Sequence, residues 1–168
     1  REPELFATGA ARLRNTLLRT QSIGEAGARI EFATTVKARA AGRVALRVEL
    51  FDDTGKRVAA RQADVALTSQ NQRVGPEVIG TLQVARPKLW WPHTLGMPYL
   101  YTYRAEVFVD GRLSDAVTGS VGIRTVRAEL DNGQRRFFIN GEPLFVNGAA
   151  WSGDMLHYEP AAKKRRKL

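Results

Sequence analysis

The chain has 168 residues, 43% hydrophobic and 26% charged, which supplies one buried domain with a remainder. It contains no cysteine, which excludes disulfides, thiolate catalysis and Cys-based zinc sites and fits an intracellular and an exported protein equally well. The net charge is +9, but Lys163, Lys164, Arg165, Arg166 and Lys167 carry five of those charges, so a basic nucleic-acid face over the rest is not expected.

In chain order, Arg1-Glu2-Pro3-Glu4 shows neither an initiating Met nor a signal-peptide pattern, and reads as the middle of a longer polypeptide cut at both ends. From there to about residue 127 the hydrophobic period is two, as in half-buried strands. Leu13 and Leu17 mark a short first strand. Ile30, Phe32, Thr34, Val36 and Ala38 share one parity, with Arg29, Glu31, Lys37 and Arg39 on the other. Val44, Leu46, Val48 and Leu50 form the next inward row. The short Ala41-Gly42 link predicts that these two strands are antiparallel neighbours.

Asp52-Asp53-Thr54-Gly55-Lys56 predicts a hairpin turn into a strand over 57–67. Residues 68–73 form a polar loop, and Val78, Gly80, Leu82 and Val84 alternate again. Tyr101, Tyr103, Ala105, Val107 and Val109 make a long row closed by Asp110-Gly111. A last strand follows from about 115 to 126. Seven strands without a helical period predict an all-β fold, an antiparallel β-sandwich of immunoglobulin-like or fibronectin-like type. No apolar run approaches the roughly 18 residues of a membrane span.

After Val126 the pattern changes. Asp131-Asn132-Gly133 and Asn140-Gly141 are hairpin signals. Leu144, Phe145 and Val146 are continuously apolar, as in a strand buried on both faces. Glu159-Pro160 precedes a helix start. A buried strand followed by a helix is half of a βαβ unit. The expected division is a sandwich over 1–127 and, over 128–168, a β-hairpin leading into the incomplete start of a (β/α)8 barrel. The orphaned apolar strand predicts poor order or packing back on the sandwich, with faster amide exchange than in residues 28–51.

Three segments carry a family resemblance. The first is Pro87-Lys88-Leu89-Trp90-Trp91-Pro92 with Gly96-Met97-Pro98-Tyr99-Leu100-Tyr101. The second is Val121-Gly122-Ile123-Arg124-Thr125-Val126. The third runs from Phe138-Ile139-Asn140-Gly141-Glu142-Pro143 through Leu144-Phe145-Val146-Asn147-Gly148-Ala149-Ala150-Trp151. In order and spacing they resemble glycoside hydrolase family 2, the β-galactosidase, β-mannosidase and exo-β-glucosaminidase group. The resemblance implies a sandwich domain followed by entry into the catalytic barrel. Trp151-Ser152-Gly153-Asp154 leans toward the exo-β-glucosaminidase or β-mannosidase branch, although Ala150 stands where the mannosidase branch often has Asn.

Each segment also reads physically. Trp90 and Trp91 wedge a loop against the sandwich and a neighbouring domain, or form a sugar-stacking platform; packing is the better reading. Arg124 either pins the domain junction through bidentate hydrogen bonds or is simply solvated. Trp151 and Asp154 follow the first barrel strand, at the end where barrel active sites lie. They are the candidate substrate-binding pair, Trp151 by stacking and Asp154 by hydrogen bonds, unless Asp154 only caps a turn.

His93 and His157 stand far apart with no second ligand at metal spacing, so no metal or cofactor is expected. Glu31, Glu49 and Glu106 fall on polar parities, where solvation explains them. The family's two catalytic Glu residues belong to later barrel strands, so no catalytic residue is assigned. The expected function is a non-catalytic scaffold within a family 2 glycosidase. Its expected partners are the catalytic barrel, an N-terminal sugar-binding-like domain and a carbohydrate substrate, with no nucleic acid and no membrane. Extracellular or periplasmic location follows only from the resemblance. Two other readings are a stand-alone carbohydrate-binding or adhesion module, and a nucleic-acid-binding tail at 163–167 in place of an amphipathic barrel helix.

Overall fold

The computed structural model describes residues 8–40, 42–67, 77–146 and 148. Among them every regular element is a β-strand and every pairing is antiparallel. The strands are β1 (Ala11–Gly24), β2 (Gly27–Ala38), β3 (Gly42–Phe51), β4 (Arg57–Leu67), β5 (Glu77–Val84), β6 (Tyr101–Val109), β7 (Arg112–Val121), β8 (Val126–Asp131), β9 (Gln134–Ile139) and β10 (Glu142–Leu144).

The first seven build two sheets, ordered β1-β2-β5 and β4-β3-β6-β7. The alternating rows explain why they stack. Ile30, Phe32, Thr34 and Val36 of β2 are buried, as are Val44, Leu46, Val48 and Leu50 of β3 and Ala105 and Val107 of β6. Each sheet thus offers one apolar face, and the two faces share one core. The arrangement is consistent with an immunoglobulin-like sandwich. Its fourth strand pairs with the third rather than the fifth, unlike the constant-type order.

Pairing β2 with β3 across Ala41-Gly42 is corrected: the two strands lie in different sheets. β2 ends in one sheet and β3 begins in the other, and both apolar rows face the core. The Asp52–Lys56 hairpin forms as its residues predict. Asp52 Oδ1 accepts from the Thr54 and Lys56 amides at 2.9 and 3.0 Å, and Gly55 takes φ +79°. The last sandwich strand also differs from expectation, running Arg112–Val121 rather than 115–126. Asp110 and Gly111 both adopt positive φ, a tight turn of the I′ kind, so β7 starts directly after them.

Beyond the sandwich, β8, β9 and β10 form a separate sheet ordered β10-β9-β8. Its two turns, Asn132-Gly133 and Asn140-Gly141, again pair two positive-φ residues. At Leu144–Val146, the apolar run expected to lack its barrel neighbours, β10 ends at Leu144 and Phe145 is 84% exposed. These side chains have no opposing sheet among the described residues to cover them. The polar loop at 68–73 and the helix start near Glu159-Pro160 lie outside the described residues.

Candidate functional site

The link from the sandwich to the third sheet, residues 122–125, meets the Trp loop, residues 85–100 between β5 and β6, at Trp90. Residues 122–125 leave the β7 ladder because their groups find other partners. Ile123 turns into the core and its carbonyl accepts from the Trp90 amide at 2.9 Å. The Arg124 amide donates to Thr20 Oγ1 at 3.2 Å. The Thr125 amide donates to Asn140 Oδ1 at 2.9 Å, and the Asn140 amide donates to the Thr125 carbonyl at 3.0 Å. Asn140 Nδ2 then donates to the Trp90 carbonyl at 3.0 Å.

Trp90 and Trp91 are both half-buried. The Arg124 guanidinium lies 4.5 Å from the centroid of the Trp90 ring, within cation–π range. Its side chain stacks on this ring. Gly122 gives the Trp90 side chain its room, since a Cβ there would lie 2.7 Å from Trp90 Cβ and Cγ. Gly96 does the same for Trp91, whose amide donates to the Met97 carbonyl at 3.0 Å. The Trp90 ring is thus covered by Arg124, and the pair is not a flat exposed platform. The structure brings Trp90 and Arg124 together and leaves Trp91 turned to its own loop.

The Trp loop is tied to the β3–β4 hairpin by a polar cluster. Tyr99 donates to Asp53 Oδ1 at 2.7 Å and accepts from the Asp53 amide at 3.0 Å. Lys88 Nζ pairs with Asp53 at 3.1 Å and sits over the Tyr99 ring. The Tyr99 hydroxyl, then Lys88, hold the Asp53 carboxyl below the ordinary carboxylate value. The same carboxylate raises Lys88. Tyr101 accepts from the Lys88 amide at 2.8 Å, and burial raises its phenol.

Beside Arg124 an open cleft of about 530 Å³ runs along β1 and the end of β7. Leu17, Leu100 and Val126 line it and are half or more exposed. Trp151 and Asp154, the expected substrate-binding pair, lie outside the described residues, as does His157. Among the described residues no three His, Asp or Glu side chains gather as a metal cluster. No helix among them is long and apolar enough to cross a membrane.

Glu106 corrects the expectation of a solvated carboxylate. Its side chain is 3% exposed, gripped by Arg47 at 2.5 Å and Arg104 at 2.7 Å. Glu31 and Glu49 are also largely covered, by ion pairs to Arg19 and Arg57. In the sequence Asn140 reads only as a turn residue, because Asn-Gly accounts for itself as a turn.

The pattern of glycosyl hydrolases family 2 matches residues 11–124, the sandwich and the Trp loop. The chain belongs to this family. It is 38% identical over 74 residues to an exo-β-D-glucosaminidase of Streptomyces avermitilis, covering 44% of the chain and 8% of that protein. It is 36% identical over 108 residues to the β-glucuronidase of Canis lupus familiaris, covering 61% of the chain and 14% of that protein. In structure it superposes on a β-D-mannosidase from Dictyoglomus thermophilum with TM-score 0.69 and 28% identity, over 84% of this chain and 17% of that one. The chain therefore spans a small part of its much larger family 2 relatives, and the part it spans is their immunoglobulin-like domain. Those relatives include exo-glucosaminidases, β-mannosidases and β-glucuronidases.

Proposed function

We propose that this chain is the non-catalytic sandwich portion of a larger family 2 exo-glycosidase, and that it positions a catalytic barrel following the third sheet. The observation that carries this reading is the family match over 11–124, which coincides with the sandwich and its junction segments. A retaining glycosidase needs two carboxylates about 5–5.5 Å apart beside its substrate. Glu31, Glu49 and Glu106 are instead committed to ion pairs on the outer faces of the sheets.

Trp90, Trp91 and Arg124 are the proposed domain junction. The half-buried ring pair, the stacked guanidinium and the exposed Leu17, Leu100 and Val126 beside them suit a face turned to the rest of the enzyme. Trp151 and Asp154 are the proposed substrate contacts, on a β-linked glucosamine or mannose-type sugar, by the Trp-Ser-Gly-Asp resemblance. The N-terminal sugar-binding-like domain is a further proposed partner, and export the proposed setting.

The test is hydrolysis of aryl β-D-glucosaminides and β-D-mannosides. The chain alone is expected to give no turnover above the uncatalysed rate. The same chain joined to a barrel of about 250 further residues is expected to be active. Turnover by the chain alone would overturn the proposal.

A further inference from the structure

Among the described residues β8, β9 and β10 pair with one another, and no sandwich strand extends into their sheet. A sheet held to its neighbour by the covalent link 122–125 alone would swing about it, since relative motion is the default where an interface is small. The Asn140 side chain reaches across to the sandwich. Asn140 accepts at Oδ1 from the Thr125 amide on the link, at 2.9 Å, and donates from Nδ2 to the Trp90 carbonyl on the Trp loop, at 3.0 Å.

Both ends of this bridge are held. Trp90 is fixed by its own amide on the Ile123 carbonyl and by its ring between Gly122 and Arg124. Asn140 is fixed by its amide on the Thr125 carbonyl, its positive φ of 51° in the turn, and Ile139 buried beside it. The site needs a donor and an acceptor on one short side chain that tolerates left-handed backbone. Asn meets all three demands. Asp lacks the donor, and Gly keeps the backbone but lacks both.

We propose that the Asn140 side chain is a two-ended latch that fixes the orientation of the third sheet on the sandwich through Thr125 and Trp90. This concerns the described chain itself and stands whether or not a barrel follows.

The experiment uses the full ¹⁵N-labelled chain and two variants, Asn140→Gly and Asn140→Asp, reading residual dipolar couplings and amide exchange. In the native chain one alignment tensor is expected to fit residues 27–51 and 126–139 together. In Asn140→Gly the turn persists, the couplings of 126–139 are expected to shrink away from that tensor, and Thr125 amide exchange rises about tenfold with one lost hydrogen bond. Val48 exchange stays unchanged as the folding control. In Asn140→Asp the Thr125 amide stays protected while the couplings fall to intermediate values. A single tensor in Asn140→Gly, two tensors in the native chain, native couplings in Asn140→Asp, or Val48 deprotected along with Thr125 would each overturn the latch.

Discussion

At Gly122 the backbone has no room for a methyl group, because Trp90 Cβ and Cγ would stand 2.7 Å from it. Those atoms lie at the root of a side chain held by Arg124 and by its own amide, so they cannot swing aside. Gly122→Ala is expected to cost about 1–3 kcal/mol, the usual range for overpacking, read as a lower urea midpoint with unchanged slope. Glu106 is a different case. Its carboxylate is buried, but Arg47 and Arg104 are each nearly half exposed and can turn to water when it is removed. Glu106→Ala should therefore cost about 1–3 kcal/mol, below the 3–5 of a fully buried pair. The double variant Arg47→Ala, Arg104→Ala should cost more, since it strands the buried carboxylate; equal losses in urea would refute that order. Tyr103 sets a pH dependence. Burial raises its phenol above the ordinary 10.0, so the fold favours the neutral form. That contribution is complete below pH 10 and is lost as pH climbs through the raised value. In Tyr103→Phe, stability against urea should decline less steeply above pH 10 than in the native chain, with the part due to Tyr101 remaining.

At the scale of elements, the hairpins are where short sequence signals decided structure outright. Asp110-Gly111, Asn132-Gly133 and Asn140-Gly141 each need two successive positive φ angles, and these residue pairs adopt them at least cost. Gly133→Ala forces a methyl into φ +79° and is expected to cost about 1–2 kcal/mol. The loss should stay local: amide protection falls across β8 and β9 while Val48 in β3 keeps its own, and a uniform loss would show that the sheets unfold as one unit. The inward rows were legible because period two maps directly onto a half-buried strand. Sheet membership was not legible at Ala41-Gly42, because a short link permits either a hairpin or a step across the sandwich edge, and only the packing of both apolar rows on one core selects the step. The outer-face ion pairs were hidden for a related reason. Arg47 and Glu106 become opposite neighbours only once the β3–β6 register is known. Leu144–Val146 states a need for cover that no described residue supplies.

For the whole molecule, the core decides what can stand alone. It gathers residues from Ala11 to Ile123, and no described residue after Ile123 belongs to it. The third sheet adds the Asn140 bridge and the buried Ile139, but its own strands expose Val126 and Leu130. Trp90 and Arg124 stand out in the sequence by residue type, whereas Asn140 does not: its side chain acts on backbone groups of Thr125 and Trp90 that only the fold brings within reach. A chain ending at Thr125 keeps every residue of the sandwich core and loses Ile139 and the bonds of Asn140 to the Thr125 amide, the Thr125 carbonyl and the Trp90 carbonyl, the side-chain ones part-buried. It should therefore unfold in urea in one cooperative transition, about 1–2 kcal/mol less stable than the full chain. Exchange protection across β2 and β3 should be retained. If this shortened chain instead lost its cooperative transition, the third sheet would have to be counted as part of the sandwich rather than as a separate element fastened to its end.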